Sequence, residues 1–494
     1  MRFKYYQRGE FSWVMLALLV TLLFQPHGVK ADSQTTVVLP DTLASRQFSA
    51  WLHVYNSGNR VAIRQFASAH HQDKPGASSV DELTDVYMKL YKDDGQYDVR
   101  KLISSSADSI AVAVESRATG CWVALQMKVA AEPPYNLAGF SYSHVEMPED
   151  LLPHKELSES EIRTRVDGLI TKLIKADNFS GVVLVAKNGE PFYQREYGLA
   201  NRAWNESNQT NTKLNLASIC KMFTAVAIAQ LVEQDKLSYK DTVGKILPDY
   251  PNKEVAQKVT IQELLSHTSG LASKSLDEFR KGFRTLKEYL PSFDNAAPEF
   301  EPGTKYSYSN DGFLLLGVIV EKMSGESYYD YVREHVFKPA GMTATDYYEL
   351  DSDPPNLAEG LMEGPNGTRR NNIFALPVKG LPFGLGYSTA EDLLKFNSAL
   401  VNRTLLSANS LETLWTGKTD KLYNGPDGQY GYGFFVKRYN GTRIIGHGGG
   451  WPGVTNQVDM YPDLGYTVVI LTNYDDSPRI IAYKLREWLA QGRP

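Results

Sequence analysis

Cysteine is nearly absent from this chain: Cys121 and Cys220 are the only two in 494 residues. They fall in separate parts of the sequence, which excludes a disulfide-stapled scaffold and argues against a bond between them. Metal-ligand spacing is missing too. No His-x-x-x-His or comparable cluster occurs, so neither a metal nor another cofactor is expected. There is no Gly-x-Ser-x-Gly elbow, which argues against an α/β-hydrolase. Basic charge is in short supply: 52 Lys and Arg against 57 Asp and Glu leave a net charge of −5. With no long basic run, nucleic acid is not an expected partner.

Long apolar runs are also lacking, except at the N-terminus. Arg2, Lys4 and Arg8 precede an apolar stretch from Phe11 to Phe24, and Val29-Lys30-Ala31 supplies the small residues a signal peptidase needs. That stretch is shorter than the ~20 residues of a spanning helix. The expectation is a signal peptide over residues 1–31, cleaved after Ala31, with an uncleaved anchor as the alternative. The mature protein is then exported, periplasmic or secreted, with no membrane segment of its own. Its length and its 42% hydrophobic content are enough for two domains and a large core.

The first domain is expected over residues 32–153. Phe48, Trp51, Leu52 and Tyr55 have the spacing of an amphipathic helix that ends at Asn56-Ser57-Gly58. A short helix through Phe66 and a third from Val80 to Tyr91 follow. The period then changes to alternation over Tyr97–Ser104, Ser109–Glu115, Cys121–Val129 and Tyr135–Val145, which predicts four strands. Helices followed by an antiparallel sheet resemble the ketosteroid-isomerase-like cone fold. His70 and His71 sit in an expected polar loop, and no acid–base pair is placed to act. Structural support, dimerisation or a small-molecule pocket are the open roles of this unit.

Met147 to Pro153 reads as a linker, and residues 154–494 as the second domain. Ser158 and Glu161 make a capping box. Gly181–Ala186 is a buried strand, Asn188-Gly189 a hairpin turn, Tyr466–Leu471 another strand, and Arg479–Ala490 a last helix. Terminal helices around an antiparallel sheet, with more helices between, give an α+β or mixed α/β class.

Chemistry concentrates in three segments of this second domain. Ser218 and Lys221 stand one turn apart at the start of a helix that is apolar nearly all round to about Gln234. An alcohol needs a base to become a nucleophile, and a buried Lys with a lowered pKa is one. Tyr308 and Asn310 follow Pro302-Gly303; a phenol relays protons and an amide meets a substrate carbonyl, with Tyr306 a competing neighbour. His447 lies in Gly446–Gly450, a Gly run that another backbone can approach closely. Cys220 is a rival nucleophile or a small core residue. His267 is a rival base or a helix terminus running into a turn.

In order, these segments resemble the serine β-lactamase and D-Ala-D-Ala carboxypeptidase superfamily, in its class C-like and esterase branch. Leu265-Ser266-His267-Thr268-Ser269-Gly270-Leu271, Tyr387-Ser388-Thr389-Ala390-Glu391-Asp392-Leu393 and Tyr430-Gly431-Tyr432-Gly433 add to the likeness. The resemblance implies a sheet flanked by helices plus a helical cluster. It makes Ser218 the acylated nucleophile, Lys221 its activator and Tyr308 the relay, with Asn310, His447, Gly449 and Gly450 at the substrate. The N–H groups of Ser218 and Gly450 form the implied oxyanion hole. His447 stands where β-lactamases have a Lys, so recognition of a carboxylate should weaken. Asp235 stands where the family has a helix-ending Gly. The expected function is hydrolysis of an ester or amide in a small molecule or peptide, with esterase or D-amino-acid peptidase activity favoured over efficient β-lactam turnover. The alternative is a catalytically weak sensor of cell-wall fragments.

Overall fold

The computed structural model describes residues 37–71, 78–272, 279, 282–292, 297–352, 354–364, 368–419, 428–475 and 478–492. The expected signal peptide lies outside them. The chain first forms α1 (Leu43–Asn56), α2 (Arg60–His70) and α3 (Val80–Asp94). Four strands follow, β1 (Tyr97–Ser105), β2 (Ser109–Ser116), β3 (Trp122–Val129) and β4 (Leu137–Val145), in an antiparallel meander of that order. Thr42 caps α1 by accepting from Ser45 N–H, and the helix turns Phe48, Trp51 and Tyr55 onto Val112, Val114, Val123 and Leu125. Each such side chain contributes about 1.5–3 kcal/mol on full burial. The expected loop at His70 is instead the last turn of α2. Asn59 caps that helix, and the His70 ring packs 4.5 Å from Phe66.

At the far end of this unit the Asp94 carboxylate is fully buried. It accepts from Tyr97 Oη at 2.5 Å and meets His144 Nε2 at 2.9 Å. Burial opposes protonation of His144, but the hydrogen bond and the charge of Asp94 outweigh it and raise the pKa above 6.5. A His whose folded pKa is raised adds stability that is complete below its unfolded pKa and lost as pH rises through the folded one. His144→Ala should therefore cost more at pH 5.5 than at pH 9, by up to the roughly 1.5–3 kcal/mol of a charged hydrogen bond. Urea unfolding at the two pH values checks this; equal costs would remove the ion pair from the account.

The second unit starts with α4 (Glu159–Lys175), whose Ser158–Glu161 capping box is present as expected. Strands β5 (Gly181–Lys187) and β6 (Glu190–Tyr197) join through Asn188 and Gly189 at φ +52° and +84°, the left-handed pair a two-residue hairpin requires. The middle of the chain supplies α5 (Cys220–Glu233), α6 (Asn310–Ser324) and α7 (Ala390–Val401). Then come β7 (Gly428–Tyr430), β8 (Phe435–Tyr439), β9 (Thr442–Trp451), β10 (Val454–Tyr461), β11 (Tyr466–Thr472) and α8 (Pro478–Ala490). The strands form an antiparallel sheet in the order β7-β8-β9-β10-β11-β5-β6.

Alternation sorts the sheet between two cores. Val183, Val185, Ile444, Tyr461, Val468 and Ile470 face α4 and α8. Val182, Leu184, Ile445, Val458, Val469 and Leu471 face α5 and the helical cluster. β8 follows β9 only as far as the Phe435–Gly446 pair. Beyond it, no described strand pairs with the β8-side edge of His447–Trp451. That open edge faces the start of α5. Among the described residues no helix is long and apolar enough to cross a membrane.

Candidate active site

Ser218 sits in a tight turn, Ala217–Ile219, that leads directly into α5. The expected helix thus begins two residues later, and Ser218 projects from the turn before it. Ala217 holds φ +46° there, a conformation that strains an L-residue. Its N–H donates to Asn215 Oδ1 at 2.9 Å, and its carbonyl accepts from Leu385 N–H at 3.1 Å. The turn is fixed from both sides. At Gly384 an added Cβ would lie 2.8 Å from Ala217 O, so glycine is what lets that loop approach the turn.

Lys221 is fully buried on α5. Its Nζ lies 2.8 Å from Asn310 Oδ1, 2.9 Å from Phe383 O and 3.2 Å from Ser218 Oγ. Burial drives its pKa well below the ordinary lysine value. Burial favours the neutral form of the amine. Two of the three partners only accept, and a neutral amine has two N–H bonds and one lone pair. In that form the N–H bonds can serve Asn310 and Phe383 with the lone pair toward Ser218 Oγ, whereas the protonated form donates to all three.

Tyr308 comes from the segment before α6, and its hydroxyl shares a hydrogen bond with Ser218. Burial raises its pKa, so the resting phenol keeps its proton. Lys221 Nζ stands 4.7 Å from the ring centroid. Ser309 caps α6 by accepting from Gly312 N–H. Tyr306, the neighbouring competitor, packs 5.9 Å from His267 and 6.1 Å from Tyr430.

His267 is not a base for Ser218. Its Nδ1 accepts from Ser309 N–H at 3.1 Å, and its ring lies 4.2 Å from that of Tyr308. Burial and then the nearby Lys221 hold it neutral, well below the usual histidine pKa. It braces the Tyr308 segment across 42 residues of chain. Cys220 is buried, accepts from Gly386 N–H at 3.3 Å and has a thiol pushed up to about 11 by burial. It belongs to the core.

On the open strand, His447 is buried and neutral. Its Nδ1 donates to Gly448 O at 2.5 Å, which leaves Nε2 to accept from Tyr430 Oη at 2.9 Å. Burial and then Lys221 lower its pKa to about 3. Gly449 is buried too: a Cβ there would sit 2.2 Å from Leu216 O, so this glycine carries the contact between β9 and the nucleophile turn. Gly450 is exposed, with nothing within 4 Å of an added Cβ. Ser218, Tyr308, His447, Gly449 and Gly450 share the wall of a cleft of about 570 Å³.

Sequence reasoning missed the Phe383 carbonyl and gave Tyr430 no role. The Tyr430-Gly431-Tyr432-Gly433 run was the available signal for the second; nothing local marks the first.

Comparison with known proteins follows this geometry. A family model described as Beta-lactamase matches residues 166–491. Penicillin-binding protein 4* of Bacillus subtilis (strain 168) is 31% identical over 333 residues, covering 64% of this chain and 72% of its own. The crystal structure of a penicillin binding protein from Bacillus halodurans is 33% identical, with a TM-score of 0.57, and covers 64% of this chain and 98% of its own. A D-stereospecific amidohydrolase from Streptomyces sp. is 25% identical, with a TM-score of 0.54, over 62% and 94% of the two chains.

Proposed function

The chain belongs to the Beta-lactamase family, and from that premise we propose an exported serine hydrolase that cleaves an ester or amide through an acyl-enzyme on Ser218. The carrying observation is the fully buried Lys221 Nζ, 3.2 Å from Ser218 Oγ and held by Asn310 Oδ1 and Phe383 O at 2.8 and 2.9 Å, where burial favours the neutral amine that can take the Ser218 proton. In the acylation step the Ser218 proton passes to Lys221 Nζ as Oγ bonds to the substrate carbonyl carbon. The oxyanion accepts from the N–H groups of Ser218 and Gly450; losing one such donor typically costs roughly 10²–10³ in rate. Tyr308, bonded to Ser218 and still protonated, hands a proton to the leaving group and is resupplied by Lys221. Water then repeats the sequence on the ester. Asn310 holds Lys221 and faces the substrate amide.

Substrate preference follows from His447. A neutral ring with both nitrogens bonded offers no cation to a carboxylate. Esters, amides and peptides of D-amino acids without strong carboxylate dependence fit better than β-lactams, and the Streptomyces amidohydrolase is in keeping with this. Export rests on the signal read at residues 1–31, and the division at about residue 153 on the core of the first unit, which gathers residues from Ala44 to Val129, while Cys121 and Leu152 pack with the α4 and α8 core of the second.

Intact-mass spectrometry tests the proposal. Exposure to a fluorophosphonate, short-chain p-nitrophenyl esters and a D-Ala-D-Ala peptide should add one acyl or phosphonyl mass to the wild type and none to Ser218→Ala. Turnover by Ser218→Ala at the wild-type rate would end the acyl-enzyme account. Ligand binding with no adduct and no turnover would favour the sensor.

A further inference from the structure

The far face of β9 carries no side chain beyond Ile444, and at Gly446 it lies directly on β10, where an added Cβ would sit 1.9 Å from Val458 O. Its side chains alternate, and toward α8 the strand shows Ile444 and then Gly446, Gly448 and Gly450. Three glycines in succession on one face give that face nothing to pack, and glycine weakens a strand. Yet the opposite face of this segment carries the contact of Gly449 with the nucleophile turn. Something must hold the strand from behind.

What lies there is a buried cluster of four charges from four segments of the chain. On β10, Asp459 pairs in register with Gly446 and Gln457 with Gly448. Asp459 accepts from Arg486 of α8 twice, at 2.7 and 3.0 Å, and from Gln457 Nε2 at 2.7 Å. Arg486 Nη1 also donates to Glu146 Oε1 at 2.9 Å, and Lys437 of β8 donates to the same oxygen at 2.6 Å. The side chains are 3% to 16% exposed. Two cations face two anions, so the cluster is balanced. Gln457, Asp459, Arg486 and Lys437 line the same cleft as Ser218.

Glu146 is the foreign member. It follows β4 directly, one residue after the meander ends, whereas its partners all lie in the second unit. Without it, Lys437 and Arg486 share Asp459 alone and a buried positive charge is left uncompensated, a costly arrangement. We infer that Glu146 is a positioning residue for the catalytic strand: the N-terminal unit reaches through it to fix the glycine face of β9, and with it the oxyanion-hole position at Gly450. The inference deepens the proposed function and rests on it only for its effect on rate.

The test uses the full chain with Glu146→Gln, which keeps shape and removes charge, and the double variant Glu146→Gln/Lys437→Met, which restores balance. Two readouts are taken at matched folded fraction. Hydrogen exchange of backbone amides should accelerate in residues 442–461 of Glu146→Gln and leave α5 unchanged. Fluorophosphonate labelling of Ser218 should slow on the order of 10- to 100-fold, as expected for a misplaced reacting geometry, with KM for a p-nitrophenyl ester altered less than the turnover number. The double variant should recover at least part of both. Unchanged exchange in 442–461 would overturn the inference, as would a double variant no better than the single. A wild type that never labels would sink the acyl-enzyme reading alone, because the exchange readout does not depend on activity.

Discussion

Lys221→Met slows acylation of Ser218 by roughly 10²–10⁴-fold, the usual contribution of a positioned base, while the chain still folds. Methionine fills the volume of the lysine stem but offers no lone pair, so the Ser218 proton has only the phenol of Tyr308, whose own pKa is raised. Stability changes through two opposed effects. The variant relieves the burial of an amine, but it takes the Lys221 donor away from the buried Phe383 O, at about 1–3 kcal/mol for a group left unsatisfied.

The pH behaviour separates these roles. In the wild type the acylation rate rises with pH through the Lys221 pKa, which burial has moved well below 10.5. For a lysine with a depressed folded pKa, the unfolded chain binds more protons in the window between the folded value and 10.5. The slope of unfolding free energy with pH is then positive. Stability lost to burial of the amine is complete below the folded pKa and absent above 10.5. Lys221→Met should lose both the acid limb of the rate profile and this stability slope. Stopped-flow acylation and urea unfolding from pH 5 to 9 check the pair. An acid limb that survives in Lys221→Met would assign it to another group.

How much of this was legible follows the range of each contact. Ser218 and Lys221 are three residues apart across the turn that opens α5, a spacing short enough to bring them together locally. The Asn188-Gly189 hairpin, the Ser158–Glu161 box and the left-handed Asp235, at φ +55°, are equally local. Asp235 replaces a helix-ending glycine, and Asp is among the few residues that visit this conformation. The convergence of Tyr308 on Ser218 needed the family resemblance, since nothing local dictates a contact between residues as far apart as Lys221 and Asn310, separated by 89 positions.

Contacts beyond the resemblance stayed hidden. Phe383 O acts through its backbone, so its side chain carries no signal of the bond to Lys221. His267 was weighed as a base because histidines often are. Only the fold shows that its acceptor nitrogen is used by Ser309 N–H. The start of α5 was placed at Ser218 by apolar pattern, but periodicity cannot tell a tight turn from the first turn of a helix. The glycines of β9 read alike in sequence and are unlike in space. Their face toward α8 depends on strand parity, and their near face on how closely Leu216 approaches.

That difference makes the second large prediction, in which two neighbouring glycines answer the same substitution in opposite ways. Gly449→Ala would place a methyl 2.2 Å from Leu216 O and 3.3 Å from Ala217 Cβ. The Leu216 backbone and a rigid Cβ leave no flexible side chain to yield, so overpacking should cost about 1–3 kcal/mol. The strand or the nucleophile turn must move, and a displacement near 1 Å at Ser218 should lower acylation by on the order of 10²-fold. Gly450→Ala meets nothing within 4 Å, so its stability should stay within about ±0.5 kcal/mol of wild type. Its methyl points to the α8 side of the strand, away from the turn that holds Ser218, so acylation should stay near the wild-type rate. Thermal unfolding read beside acylation kinetics separates the two: Gly449→Ala loses stability and turnover together, whereas Gly450→Ala keeps its melting temperature. Equal stability of the two variants would mean that β9 does not rest on the Leu216 carbonyl, and the glycine at 449 would then be free to serve the substrate alone.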